Sequence, residues 1–373
     1  MTATPVAEAS AAHRRATIHP LRVKAVDPLT DDAVVVEFDI PKELARDYAF
    51  THGQHVSLRF EAAGDDVRRS YSICSAAGSG RLRVAVKRLP GGVFSAYALE
   101  HLRPGDVVEV VTPIGHFNTP LDPTSTRSYA MIAAGSGITP ILSIITTVLA
   151  VEPRSSVTLI YGNRTVKDIM FLEELEDLKN RYPERFALYH VLSREEQEVQ
   201  LFHGHIDAAR LAVFLDQLVP PDDVDEWFLC GPREMIESAR TVLLERGVEP
   251  EHVHAELFHA DDVPRPARSA ERLAAAAQSS DASEVTIVLD GRSSTFIVDP
   301  DGERILDAAL RVRSDAPYAC KGGVCGTCRA RLVSGSVEMD QHFALEQREI
   351  DAGFVLACQS HPTSDRLILD FDQ

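Results

Sequence analysis

Residues 320–328 read CKGGVCGTC, and a fourth cysteine follows at Cys358 within LACQSHPTSD. Three of the six cysteines of a 373-residue chain thus fall inside nine positions. Such a cluster can close disulfides, hold zinc or hold a redox centre. Apolar content of 45% and charged content of 25% are those of a water-soluble globular chain. MTATPVAEASAAHRRA at the N-terminus has no apolar stretch of signal-peptide length and reads as a flexible tail over residues 1–16. A cytoplasmic location is expected, where structural disulfides are rare. Zinc sites usually pair two short C-x2-C knuckles, whereas Cys358 stands alone.

The spacing is C-x4-C-x2-C, then 29 residues, then C. That is the ligand spacing of a plant-type [2Fe–2S] cluster, with Cys320, Cys325, Cys328 and Cys358 as the metal ligands. Gly322, Gly323 and Gly326 suit it, because any Cβ would crowd a backbone wrapped round a cluster. Zinc or a redox-regulated thiol site is the alternative. The segment from 284 to 373 resembles the plant-type ferredoxins, which implies an α+β β-grasp domain carrying one electron at a time. Such a domain needs an electron source upstream.

The upstream sequence has two textures. Over residues 17–122, short alternating segments such as AVVVEFDI, HVSLRF and LRVAVKRL are broken by turns, which predicts an antiparallel β-barrel. Over 123–258, apolar strands alternate with helical stretches, the rhythm of βαβ units on a parallel sheet. No charge occurs between Arg127 and Glu152. AAGSGITP inside that run points to a strand, a turn and a helix, so no membrane span is expected. Residues 259–283 are rich in Ala, Ser, Pro and charge, and read as a linker.

Two motifs in these regions suit phosphate and flat rings. RRSYSICS carries Arg69 to grip a phosphate, Tyr71 to pack on a planar ring and Ser72 to hydrogen-bond a ring nitrogen. Downstream, Gly91, Gly92 and Ser95 precede a helix, where backbone N–H groups favour anions. In the α/β region, AAGSGITPILSI places Gly135, Gly137, Thr139 and Pro140 between a strand and a helix. FLCGPREM sets Cys230, Gly231 and Pro232 at the end of the last expected strand of that sheet.

Together these residues resemble the ferredoxin–NADP reductase superfamily over 17–258. The resemblance implies FAD held by Arg69, Tyr71 and Ser72, with Val86 and Arg88 near its tail and Gly91, Gly92 and Ser95 at its phosphates. It further implies Thr139 and Cys230 flanking a nicotinamide, with Glu256 and Phe258 beside the flavin. Ser72, Cys230 and Glu256 are then the catalytic residues. Ser193 and Arg194 in VLSREEQ, with Arg164 in YGNRT, are expected to select the 2′-phosphate of NADPH. The alternative for Arg194 is a solvated charged loop. His203, His205, His252, His254 and His259 are read as surface or packing histidines, because no carboxylate lies at useful spacing.

The order flavin domain, nucleotide domain, ferredoxin domain resembles the reductases of multicomponent oxygenases. YACKGGVCGTCRARLVSGSVEMD and GFVLACQSHPTSDRLILDFD are most similar to the reductase subunits of phenylacetyl-CoA 1,2-epoxidases, which implies a di-iron oxygenase subunit as electron acceptor. One departure is Gly326, where such reductases often carry a further cysteine. The reductases of 3-ketosteroid 9α-hydroxylases share the layout and are commonly paired with NADH. A net charge of −18 speaks against nucleic acid and anionic membrane surfaces as partners. Over 284–373, nine Lys and Arg against fifteen Asp and Glu leave −6, which suits a basic docking face on the acceptor.

Overall fold

The computed structural model describes residues 16–62, 65–258, 282–298, 303–345 and 347–373. All but the last residue of the expected tail, and 259–281 of the expected linker, lie outside them. The chain forms two compact units, the second beginning beyond Pro264.

The first unit opens with six strands: β1 (Ile18–Thr30), β2 (Ala33–Asp39), β3 (His55–Ala62), β4 (Asp65–Ser72), β5 (Leu82–Lys87) and β6 (Val107–Val111). They pair antiparallel in the order β4-β3-β6-β1-β2-β5. Just past β4, Ile73 bridges to Val84 of β5, and the Cys74 N–H donates to the Arg83 carbonyl at 2.9 Å. These bonds join the two edge strands, so the sheet closes into the expected barrel and leaves no free edge. Alternation along β2 explains why it is apolar almost throughout. Val36 and Phe38 fill the barrel, while Ala33 and Val35 point outward into a core shared with the α/β layer.

That layer contains β7 (Ser128–Ala134), α2 (Ile138–Val151), β8 (Ser156–Asn163), α3 (Leu172–Arg181), β9 (Phe186–Leu192), α4 (Ala208–Gln217), β10 (Glu226–Cys230), α5 (Arg233–Glu245) and β11 (Val253–Glu256). The first helix of the chain, α1 (Val93–Glu100), lies in the barrel half. The sheet is parallel, in the order β11-β10-β7-β8-β9. The sequence pattern ends at β10; the structure extends the sheet by β11, whose four residues ending in Glu256 are too few to show a periodicity. Tyr129, Met131 and Ala133 of β7 face α2, α3 and the barrel, and Ala130 and Ile132 face α4 and α5. The charge-free run is therefore β7 plus α2, the helix buried between sheet and barrel. Among the described residues no helix is long and apolar enough to cross a membrane.

The second unit is a five-stranded sheet with the order β13-β12-β18-β14-β16. Its strands are β12 (Ser283–Leu289), β13 (Arg292–Val298), β14 (Arg329–Ser334), β16 (Phe354–Leu356) and β18 (Arg366–Asp370), and a small hairpin pairs β15 (Val337–Met339) with β17 (Ser360–Pro362). Asp290 and Gly291 turn β12 into β13 with φ of +58° and +64°, the left-handed pair a tight hairpin requires. β12 and β18 are parallel neighbours at the centre. Helix α6 (Ile305–Val312) covers the sheet with Ile305, Leu306, Ala308 and Ala309, all fully buried. This is the β-grasp arrangement, and the strand expected to start after residue 283 begins at Ser283 itself.

Candidate functional site

The barrel presents its flavin motif where β4 ends. Arg69 is exposed, and its guanidinium donates to the Arg68 carbonyl at 2.8 Å, which leaves most of its N–H groups directed outward. Tyr71 packs 5.4 Å from Phe94, and burial raises its phenol well above the ordinary range. Gly91, at φ +73°, and Gly92 lead into α1, whose N-terminus has no side-chain cap. Its first N–H groups are therefore free for an anion.

Ser95 differs from the sequence expectation in place. It lies inside the first turn of α1, and its buried hydroxyl accepts from the Leu89 N–H (3.1 Å) and donates to the Gly92 carbonyl (3.0 Å). It shapes the loop that leads into the helix. Val86 is fully buried in the barrel core, so only its backbone can face a ligand. Arg88 reaches Glu100 at 2.8 Å. Cys74 is buried, and burial pushes its thiol up to about 12, which makes it inert packing.

The parallel sheet changes direction between β7 and β10, and ligands bind at such switch points beyond the strand ends. The loop of Gly135 (φ +53°) and Gly137 follows β7 there. A Cβ on Gly137 would sit 2.1 Å from the Cys230 carbonyl, so only glycine lets the loop close on β10. The Tyr161 hydroxyl donates to the Gly135 carbonyl at 2.9 Å, and the Thr139 hydroxyl to that of Ser136 at 3.0 Å. Thr139 thus braces the loop. Pro140 sits in the first turn of α2, where its missing N–H costs nothing. A Cβ on Gly231 would strike the Met235 methyl at 2.6 Å, and Pro232 caps α5.

Ser72, Cys230 and Glu256 converge at this point. Register pairs Cys230 with Glu256 on adjacent strands, and the Ser72 hydroxyl donates to Glu256 Oε2 at 3.1 Å. Glu256 is partly accessible, yet the protein crowded round it raises its carboxyl to about 8, against the pull of the Ser72 hydrogen bond. Cys230 is fully covered, and burial holds its thiol neutral. Phe258 packs on the core shared by barrel and sheet.

At the ends of β8 and β9 the Arg194 N–H donates to the Arg164 carbonyl at 2.8 Å, and the Ser193 N–H to the Asn163 carbonyl at 2.9 Å. Both arginines are exposed, and among the described residues neither guanidinium pairs with a carboxylate. Arg164, Ser193 and Arg194 thus lie together at the ends of β8 and β9.

The structure also brings together residues the sequence left apart. Glu226 lies between His254 (2.8 Å) and His252 (3.5 Å), the carboxylate that sequence spacing could not supply. These histidines hold Glu226 below the usual carboxylate range against the effect of its burial, and His254 stacks on Phe228. His203 Nδ1 meets the Glu195 carbonyl at 3.0 Å, and its backbone bridges to Leu192 at the end of β9. His259 lies outside the described residues.

In the second unit the four expected ligands gather although up to 38 positions separate them. The Cys320 thiol lies against those of Cys325 and Cys358, and Cys358 against Cys328. Three of the four are buried and Cys320 is partly exposed. The Gly322 N–H points at Cys320 Sγ (3.3 Å), and the Thr327 hydroxyl sits 3.2 Å from Cys325 Sγ. The Cys320 thiol, and then burial, push Cys325 well above the ordinary thiol range. Crowded thiols of this kind ionise together only with a cationic centre among them. Among the described residues no three or more His, Cys, Asp or Glu are arranged to hold a metal ion. A two-iron cluster makes a different demand, because it spreads four thiolates over two irons. Gly323 (φ +77°) and Gly326 (φ +66°) give the loop the backbone such a centre needs, so the donor set fits the cluster.

Comparison with known proteins agrees with each part. Residues 20–119 match the family model of an oxidoreductase FAD-binding domain and residues 131–241 that of an oxidoreductase NAD-binding domain. Residues 287–363 match a 2Fe-2S iron-sulfur cluster binding domain. The chain is 43% identical to a component of the 1,2-phenylacetyl-CoA epoxidase of Escherichia coli K12, over 95% of its own length and 98% of that protein's. It is 32% identical to the ferredoxin reductase component of 3-ketosteroid-9-alpha-monooxygenase from Rhodococcus rhodochrous, over 94% and 96% of the two chains. Phthalate dioxygenase reductase shares the fold at a TM-score of 0.56 and 22% identity, over 95% and 98%. The chain belongs to the family of oxygenase reductases that join FAD-, nicotinamide- and [2Fe–2S]-binding domains, and it is an electron-transfer oxidoreductase.

Proposed function

We propose that this reductase draws electrons from NADPH and delivers them to the di-iron oxygenase subunit of a phenylacetyl-CoA 1,2-epoxidase. The observation that carries the acceptor is 43% identity, end to end, with the epoxidase component, against 32% for the steroid monooxygenase component. The preference for NADPH rests on Arg164 and Arg194, two exposed arginines whose backbones are hydrogen-bonded to each other and whose guanidiniums suit a 2′-phosphate.

When bound, the nicotinamide supplies an electron pair as hydride, the flavin converts pairs to single electrons, and the cluster carries one at a time. The protein positions these groups and sets their electrostatics. Arg69 and the N-terminus of α1 would oppose the charge of the flavin's phosphates, and Tyr71 would pack on its ring system. Gly135 and Gly137 admit a pyrophosphate close to the backbone. Ser72 donates to Glu256 Oε2, and a carboxyl raised to about 8 holds its proton at neutral pH. A protonated Glu256 beside Cys230 adds no negative charge where electrons arrive. Cys320, Cys325, Cys328 and Cys358 hold the cluster.

The test mixes the purified, cluster-loaded protein with the epoxidase oxygenase subunits and phenylacetyl-CoA under air. Product formed in step with NADPH oxidised supports the reading. NADPH oxidised by an artificial acceptor without product moves the acceptor elsewhere, to the steroid hydroxylase first.

A further inference from the structure

We propose that Gln359 is a positioning residue of the iron–sulfur site, clamping the Cys320 loop to the strand side of the cluster and setting the cluster's reduction potential. The inference rests on the four cysteines being the cluster ligands and assigns a role to a residue that is not one of them.

Gln359 follows Cys358 directly and is only 2% exposed. Its side-chain Nε2 donates to the Lys321 carbonyl at 2.9 Å and to the Cys358 carbonyl at 2.8 Å. Both partners are acceptors, so the chemistry itself orients the amide with its NH2 toward the cluster loop. The same nitrogen stands 3.5 Å from Cys358 Sγ, so the N–H given to the Cys358 carbonyl is shared, as a bifurcated bond, with a ligand sulfur. One buried amide thus touches the first cysteine's loop, the fourth cysteine's backbone and the fourth cysteine's sulfur.

The residue it holds is strained. Lys321 has φ +52°, a left-handed conformation that a lysine adopts only when its surroundings compel it. Arg304 supports the clamp, its guanidinium lying 3.5 Å from the Lys321 carbonyl and 3.0 Å from Asp340 Oδ2. Gln359 is itself pinned: its N–H donates to the Leu356 carbonyl and its carbonyl accepts from the Asp340 N–H, both at 2.8 Å. A Cβ on Gly323 would meet Gln359 Cγ at 3.0 Å, so the loop closes on the glutamine stem with no room to spare.

Reduction adds negative charge to a cluster, and a hydrogen bond donated to a ligand sulfur stabilises that charge. Removing the donor therefore lowers the potential. The full-length, cluster-loaded protein is compared with Gln359→Leu, which keeps the volume and loses the donors, and with Gln359→Glu, which also adds a carboxylate. Redox titration by EPR is expected to show about tenfold less reduced cluster in Gln359→Leu at a fixed potential, about 59 mV for one electron, and less again in Gln359→Glu. A potential and EPR spectrum in Gln359→Leu equal to those of the wild type overturn the proposal. Where Gln359→Leu does not load, the wild-type protein answers. Gln341 is the other glutamine beside Gly323, its carbonyl 3.2 Å from where a Cβ there would sit; with glutamine side-chain nitrogens isotopically labelled, pulsed EPR should show a coupling to the reduced cluster that survives Gln341→Ala, and its absence overturns the proposal. Absence of any [2Fe–2S] signal from the wild-type protein overturns the ligand assignment as well, which separates that failure from a failure of Gln359 alone.

Discussion

The hydroxyl of Ser72 donates to the carboxyl of Glu256 across 3.1 Å, although the two are 184 positions apart in the chain. Ser72 closes a barrel strand and Glu256 closes the edge strand of the parallel sheet. Two differently built halves thus meet at one proton-holding group.

Glu256 makes stability depend on pH. Its carboxyl is raised from 4.5 to about 8 in the native protein, so between those values the folded state keeps a proton that the unfolded state releases. Raising pH through that window therefore favours unfolding. Glu256→Gln removes the ionisation, and its stability relative to wild type should rise from pH 5 to pH 9, by about 1.4 kcal/mol for each tenfold difference in proton affinity between the two states. Urea unfolding of both proteins at several pH values reads this directly. Parallel pH profiles would refute it.

Arg194→Ala should lower kcat/KM for NADPH by roughly 10- to 100-fold, the worth of one charge-assisted hydrogen bond, and leave NADH within about twofold. Steady-state reduction of ferricyanide with each nucleotide makes the comparison. Equal losses with both would place Arg194 outside the 2′-phosphate site.

Cys358→Ser should abolish cluster loading while the flavin and nucleotide domains keep folding, since they belong to the other compact unit. Iron and acid-labile sulfide per chain should fall to background. NADPH-dependent ferricyanide reduction should persist, and cytochrome c reduction should be lost. A variant that retained its cluster would remove Cys358 from the ligand set.

Glu152 is fully buried and accepts from the Asp122 N–H, Arg127, the Tyr129 hydroxyl and the Ser155 hydroxyl, between 2.7 and 3.0 Å. It fastens the segment joining barrel to sheet. Glu152→Ala strands Arg127 and Tyr129 and should cost about 3–5 kcal/mol, the usual cost of breaking a buried ion pair. An unchanged urea midpoint would mean that water replaces the carboxylate.

Arg69→Ala should weaken flavin retention without unfolding the barrel, because the side chain is exposed and, among the described residues, bonds its neighbour's carbonyl alone. Flavin-to-protein ratio after gel filtration reports this. Full flavin occupancy would shift the phosphate contact to the N-terminus of α1.

The cysteine spacing, the barrel's alternation and the βαβ rhythm are legible in the sequence because each is a local periodicity. Nine residues can reach round one centre only in a few ways, and strand alternation decides which side chains face inward wherever the strand lies. The same periodicity separates β2 into a barrel face and an outer face, though only the fold shows that the outer face meets α2. The place of Ser95 inside α1 escapes sequence reading because the first turn of a short helix carries no periodicity of its own. The four residues of β11 carry no pattern, so the place of Glu256 in the sheet is not visible either. The meeting of Ser72 with Glu256, of Glu226 with His252 and His254, and of Gln359 with Lys321 is decided by tertiary structure alone. Contacts between distant residues depend on strand order and register, which arise only when every apolar face is buried at once.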